Sequence, residues 1–141
     1  MFFGDFYPRM DDKGRLALPA KFRDRLGDGM VITKGQDRCL FVYPRGEFEQ
    51  IAARLGNTAS NSKTRNYLRQ LFGGADDQVP DKQGRVVLKQ ALREYAGLDH
   101  ECAVIGVNDR VEIWDAAAWR AFSEAQEQQF VDFADDLTPP D

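Results

Sequence analysis

The chain has 141 residues, 43% of them apolar and 30% charged, which is an ordinary balance for one globular domain with a buried core. No apolar run approaches the ~18 residues of a membrane span, and the opening MFFGDFYPR carries Asp5 and no base before Arg9, so neither a spanning segment nor a secretory leader is expected and the protein reads as cytosolic. Net charge is −4, yet six acids and no base follow Phe122, so residues 1–121 hold nineteen bases against seventeen acids: a mildly basic body with an acidic tail.

In chain order, the first legible phrase is DDKGRLALPAKFR, residues 11–23. Asp-x-x-Gly predicts a tight turn, because Asp accepts from the backbone two residues on and Gly takes positive φ. A short strand over 15–18 follows, then a short helix over 20–26 with Pro19 at its start and Gly27 closing it. Residues 30–33 read as an apolar strand, GQDR as a hairpin turn, and 40–43 as its return strand. Pro44 opens a helix with Phe48, Ile51, Ala52 and Leu55 on one face. A polar loop over 56–61 leads to a helix at about 62–72. There Tyr67, Leu68, Leu71 and Phe72 are expected inside, and Lys63, Arg65 and Arg69 mostly outside.

Residues 81–93, DKQGRVVLKQALR, then repeat the opening phrase. A turn, a strand over 85–88, a helix over 90–96, strands over 102–107 and 111–114 and the turn VNDR between them complete the second copy. Asp115 is placed to N-cap a last helix carrying Trp119, Phe122, Gln126, Phe130 and Phe133. The copies are identical at Gly14/Gly84, Arg15/Arg85, Leu18/Leu88, Arg23/Arg93 and Gly27/Gly97. A period near seventy is too long for a solenoid and predicts an internal duplication about a pseudo-twofold axis. The expected fold is α+β, a small β-barrel with short helices and a helical C-terminus. Its expected units are residues 1–60 and 75–141, joined by a helix over 61–74.

An arginine directly after a Gly turn is held with little slack, and the Asp four residues earlier can accept from it. For one copy alone, Asp11–Arg15 or Asp81–Arg85, a structural ion pair is the simpler reading. Two copies flanked by Arg9, Lys13, Lys21 and Arg23, and by Lys82, Lys89 and Arg93, shift the balance toward nucleic acid. Guanidinium forks suit phosphate oxygens and guanine edges, and neighbouring bases add counterion release. Arg15 is the expected leading contact, with Asp11 orienting it. Cys39 and Cys102 lie in or beside apolar strands and read as reduced core residues. His100 is the only histidine, and no activated-thiol, paired-carboxylate or Walker-type signature accompanies it, so no metal, cofactor or catalysis is expected.

The start MFFGDF, the doubled Asp-x-x-Gly-Arg phrase, LFVYP and VEIWD together resemble the MraZ family of bacterial transcription regulators, from Met1 to about Trp119. That resemblance implies two AbrB-like halves of the swapped-hairpin type in one barrel, and subunits assembled into a ring (octamer or similar). It implies binding of double-stranded DNA at short direct repeats upstream of its own operon in the division and cell-wall cluster, mainly as a repressor. It also implies a cytoplasmic, nucleoid-associated protein, with the DNA-contacting Asp-x-x-x-Arg motif falling on Asp11 and Arg15 and again on Asp81 and Arg85. The rival reading is an AbrB-like antitoxin or another oligomeric interaction module. Against it, a second complete unit occupies the place of a toxin-binding tail.

Overall fold

The computed structural model describes residues 1–58 and 60–133. The end of the acidic tail, with Asp135, Asp136 and Asp141, lies outside the described residues. In order, the elements are β1 (Phe2–Phe6), β2 (Arg15–Ala17), α1 (Ala20–Leu26), β3 (Met30–Lys34), a 3-10 turn (Gln36–Arg38), β4 (Leu40–Pro44), α2 (Arg45–Leu55), α3 (Ser62–Gly73), β5 (Asp76–Gln78), β6 (Arg85–Val87), α4 (Gln90–Tyr95), β7 (Cys102–Asn108), β8 (Arg110–Asp115) and α5 (Ala116–Phe133).

Six strands form one antiparallel sheet in the order β1-β7-β8-β4-β3-β5, and β2 pairs with β6 as a separate ribbon. The fold is thus mixed α+β, as expected. The hydrogen-bonded ladder, however, stays open, with β1 and β5 at its edges, where the sequence reading expects a closed barrel. The reason lies in β2 and β6: they are three residues each and bond to one another, so they cross the core as a ribbon and close no circuit.

Alternation along the strands sorts the side chains onto two faces. Met30, Ile32, Leu40, Val42, Val104, Val111 and Ile113 share one core with Leu16, Leu18, Val86 and Leu88 around the ribbon, and with Phe22, Leu26 and Leu92 of the short helices. Val31, Tyr43, Ala103, Ile105 and Trp114 point the other way. There they meet Phe48 and Ile51 of α2, Phe72 of α3, and Trp119 and Phe122 of α5. At roughly 25 cal/mol per Å² of apolar surface removed from water, these two faces dominate the favourable side of folding.

The halves are interwoven through β1–β7 and β3–β5 pairing, each copy adding an edge strand beside the other's strands, and through the shared β2–β6 ribbon. Polar ties fasten the second face. Thr33 Oγ1 donates to the Leu71 carbonyl at 2.5 Å, docking α3 on β3. The buried Glu112 carboxylate accepts from Arg110 at 2.7 Å and from Trp114 Nε1 at 3.0 Å, so no lone charge is enclosed. Asp115 caps α5 as expected, accepting from the Ala118 N–H at 3.0 Å.

Two helix faces differ from expectation. Tyr67 of α3, expected inside, is 42% exposed. In α5 only the first turns touch the body: Trp119 and Phe122 pack on Trp114, while Phe130 is 76% exposed. Every residue of 123–133 is exposed, because the helix outruns the sheet beneath it.

Candidate nucleic-acid interface

The Gly turns fold alike to the atom. The Asp11 carboxylate accepts from the Lys13 and Arg15 N–H groups, each at 2.9 Å, and from Arg15 Nε at 2.6 Å. Asp81 accepts from the Gln83 N–H at 2.9 Å, the Arg85 N–H at 2.8 Å and Arg85 Nε at 2.9 Å. One carboxylate thus closes the turn and holds the guanidinium by its inner nitrogen. Among the described residues no hydrogen bond engages the terminal nitrogens of Arg15 or Arg85, which remain as an outward fork.

The ribbon then brings the two forks together. Arg15 stands opposite Val87 and Ala17 opposite Arg85, while buried Leu16 and Val86 point into the core between them. Arg15 and Arg85 are therefore diagonal neighbours on one exposed surface, roughly 7–8 Å apart along the backbone. The distinction between a leading and a supporting copy loses its geometric basis here, since both arginines occupy one surface.

Each turn is locked by the other copy. Gly14 has φ +81° and Gly84 φ +74°, values a side chain strains to adopt. Gly14 also lies against the Leu88 carbonyl and the Arg93 guanidinium, and Gly84 against that of Arg23. Cross-strand bonds seal the join: the Leu18 N–H donates to the Gly84 carbonyl at 2.9 Å and the Leu88 N–H to the Gly14 carbonyl at 2.8 Å. Arg23 Nε donates to the Leu18 carbonyl at 3.0 Å. Arg23 and Arg93 thus pack half-buried beneath the turns, Arg23 hydrogen-bonded and Arg93 with its buried Nε lacking a partner among the described residues, which explains why the repeat returns them nine residues after Gly. That spacing was the available signal, and flanking charge alone conceals it.

The other expected residues are dispersed. Lys13 is exposed beside Arg15 in the same turn. Lys21 sits over the Phe3 ring at 3.2 Å. Arg9 pairs with Glu101 through a lone antiparallel backbone bridge and lines a cavity with Asp99, His100 and Asp115, an acidic setting. Lys89 pairs with Asp76 at 3.3 Å. Sequence reasoning missed Gln78, whose side chain clamps the Val87 backbone through bonds of 2.8 and 3.0 Å and ties the ribbon to β5. His100 is half-buried, its Nδ1 at 3.1 Å from the Met10 carbonyl and its Nε2 at 3.5 Å from Asp12. Cys39 and Cys102 are free and buried, and burial pushes both thiols up, Cys102 to about 11.

A family model described as "MraZ protein, putative antitoxin-like" matches residues 1–70 and again residues 71–138. The chain belongs to the MraZ family. Among its relatives is a "Transcriptional regulator MraZ" from Frankia casuarinae, 51% identical over 140 residues, covering 99% of this chain and 98% of the relative. Proteins of the same name from Salinispora tropica (51% over 140 residues, 99% of each chain) and Saccharopolyspora erythraea (47% over 140 residues, 99% and 98%) are similar to it along the same length. The two MraZ matches meet at the end of α3, so the family's repeat coincides with the two copies of the locked turn.

The turns carry a pH prediction. Hydrogen bonds from the Arg15 backbone and guanidinium hold the Asp11 carboxyl below the usual aspartate range, and Arg85 does the same for Asp81. A carboxyl depressed by folding stabilises the fold above its unfolded pKa, and that contribution is lost as pH falls through the folded value. Thermal melts should therefore show the wild type above an Asp11→Asn/Asp81→Asn variant near about pH 7, with the gap closing only as pH falls below the ordinary aspartate range. Both carboxylates are exposed, so the gap is expected to be modest.

Proposed function

We propose that this chain is a DNA-binding transcription regulator whose reading surface is the β2–β6 ribbon. The observation that carries the reading is the pair of Asp-clamped, outward guanidinium forks side by side on one rigid ribbon. A fork held by its Nε presents two terminal nitrogens in a plane, the geometry that bonds two phosphate oxygens or the O6 and N7 of guanine. Lys13 and Lys82 add charge at the ribbon ends. Asp11 and Asp81 orient the forks without touching DNA, since a carboxylate facing phosphate would repel it. The relatives' being called transcriptional regulators supports the same reading.

A ribbon with two forks binds weakly alone, and assembly into a ring-shaped homo-oligomer raises affinity through avidity. On this reading residues 1–60 and 75–141 are AbrB-like halves joined by 61–74. The targets are direct repeats upstream of the protein's own operon in the division and cell-wall cluster, repression is the main outcome, and the protein works on the nucleoid in the cytoplasm. Among the described residues no helix is long and apolar enough to cross a membrane. An antitoxin role is the second reading. The family's antitoxin-like character favours it, whereas the weaving of the second unit into the first through β1 and β2 puts a complete unit in the place of a toxin-binding tail.

Repeats about one helical turn, ~10 bp, apart would face one side of the duplex and be met together by neighbouring subunits. Inserting about half a turn between two boxes should lower affinity in a gel shift, and a full turn should restore much of it. Equal affinity at both spacings would refute phased binding.

A further inference from the structure

Lys34 ends β3 where α3 and α4 both lie against that strand. Around it opens a cavity of about 390 Å³, lined by Lys34, by Asn66, Tyr67 and Gln70 of α3, and by Tyr95 of α4. That volume lies within the range of small-molecule sites. Bonds between the elements fix its frame. Lys34 Nζ donates to Gln70 Oε1 at 2.5 Å, and the Tyr95 hydroxyl donates to the Gly35 carbonyl at 2.5 Å. Arg38, on the turn after β3, covers the Tyr95 ring with its guanidinium 5.0 Å from the centroid.

The lining has a definite chemistry. Two phenol rings supply stacking surface, and the Lys34 ammonium stands 5.3 Å from the Tyr95 centroid. No lining residue is acidic, and among the described residues neither Lys34 nor Arg38 pairs with a carboxylate. The amide oxygens of Asn66 and Gln70 are engaged by Arg69 and Lys34, which leaves their NH₂ groups as donors. An occupant must therefore bring acceptors and negative charge. A cation would meet Lys34 unfavourably. A simple aromatic carboxylate would answer Lys34 and leave both amides with no edge to bond. A purine phosphate answers all three features: its base stacks on tyrosine, its ring nitrogens and exocyclic oxygen accept from the amides, and its phosphate meets the ammonium.

We infer that this cavity binds a purine mononucleotide, with the base against Tyr67 and Tyr95, its edge on Asn66 and Gln70, and the phosphate on Lys34. The site shares no residue with the β2–β6 ribbon and stands independently of the DNA reading.

Isothermal titration calorimetry on the full chain tests it with adenosine and guanosine monophosphates, their nucleosides, inorganic phosphate and benzoate. At least one nucleotide should bind saturably at one site per chain. Tyr67 is exposed and makes no hydrogen bond among the described residues, so Tyr67→Ala should keep the fold and weaken binding about tenfold or more through lost stacking. Lys34→Gln should bring the nucleotide down to the affinity of its nucleoside and leave the nucleoside unchanged. The Arg15→Ala/Arg85→Ala variant should bind as the wild type does. Loss of binding in that variant would place the nucleotide on the forks and overturn the cavity. Benzoate or phosphate binding as tightly as the nucleotides would overturn the purine class. No saturable binding of either nucleotide at millimolar concentration, or binding unchanged by Tyr67→Ala, would overturn the site and leave the DNA reading standing.

Discussion

Arg15→Ala is expected to lower affinity for the upstream DNA by about ten- to a hundredfold per engaged ribbon, the cost of losing one bidentate contact worth ~1–3 kcal/mol. Arg85→Ala should cost about as much, because register places both forks on the same surface of one ribbon. The substitutions also separate the kinds of contact. If a fork grips phosphate, its loss weakens all sequences alike and lowers the salt slope by roughly 1. If it reads a guanine, its loss relaxes preference at that base pair and leaves other positions alone. Arg15→Lys should retain charge and lose the fork, so recovery of affinity without recovery of sequence preference marks a base contact. Binding by gel shift at two salt concentrations distinguishes these outcomes. Undiminished binding by the double variant Arg15→Ala/Arg85→Ala would remove the ribbon as the reading surface.

Gly14→Val is expected to destabilise the fold by at least about 3 kcal/mol and to lower Tm by about 10 °C. A β-branched residue at φ +81° costs ~1–2 kcal/mol or more in backbone strain. The added Cβ would lie 2.7 Å from the Leu88 carbonyl oxygen, a backbone atom that moves only if β6 moves, and overpacking of that kind adds ~1–3 kcal/mol. Gly84→Val meets the Arg23 guanidinium instead. A flexible side chain can withdraw, so the steric part should be smaller, while loss of the Arg23 bond to Leu18 loosens the same ribbon. Urea denaturation of both variants checks the order. Gly14→Val as stable as the wild type would show that the turn tolerates a quite different backbone.

Most local elements were legible because they depend on neighbours in sequence. The Asp-x-x-Gly turns, α1 to α4, the Asp115 cap and strands β3, β4, β7 and β8 follow from turn chemistry and apolar period alone. Two strands were not. β1 holds Gly4 and Asp5, and β5 reads Asp-Asp-Gln. Neither has strand periodicity, and both exist because β7 and β3 offer an unpaired edge. The inward expectation for Tyr67 and the far end of α5 failed for a related reason: helical spacing gives a stripe, and only the extent of the sheet below decides how much of it is covered.

The doubled phrase by itself determined that two Asp-clamped arginines exist, since each clamp closes within five residues. It could not determine that they share a surface, or that Arg23 and Arg93 pack beneath the turns while Arg15 and Arg85 face out. All four are equally basic in sequence. Their division follows from the exchange of β2 and β6 across the pseudo-twofold axis, which buries one arginine of each copy beneath the other copy's glycine and leaves the other beside its equivalent in solvent.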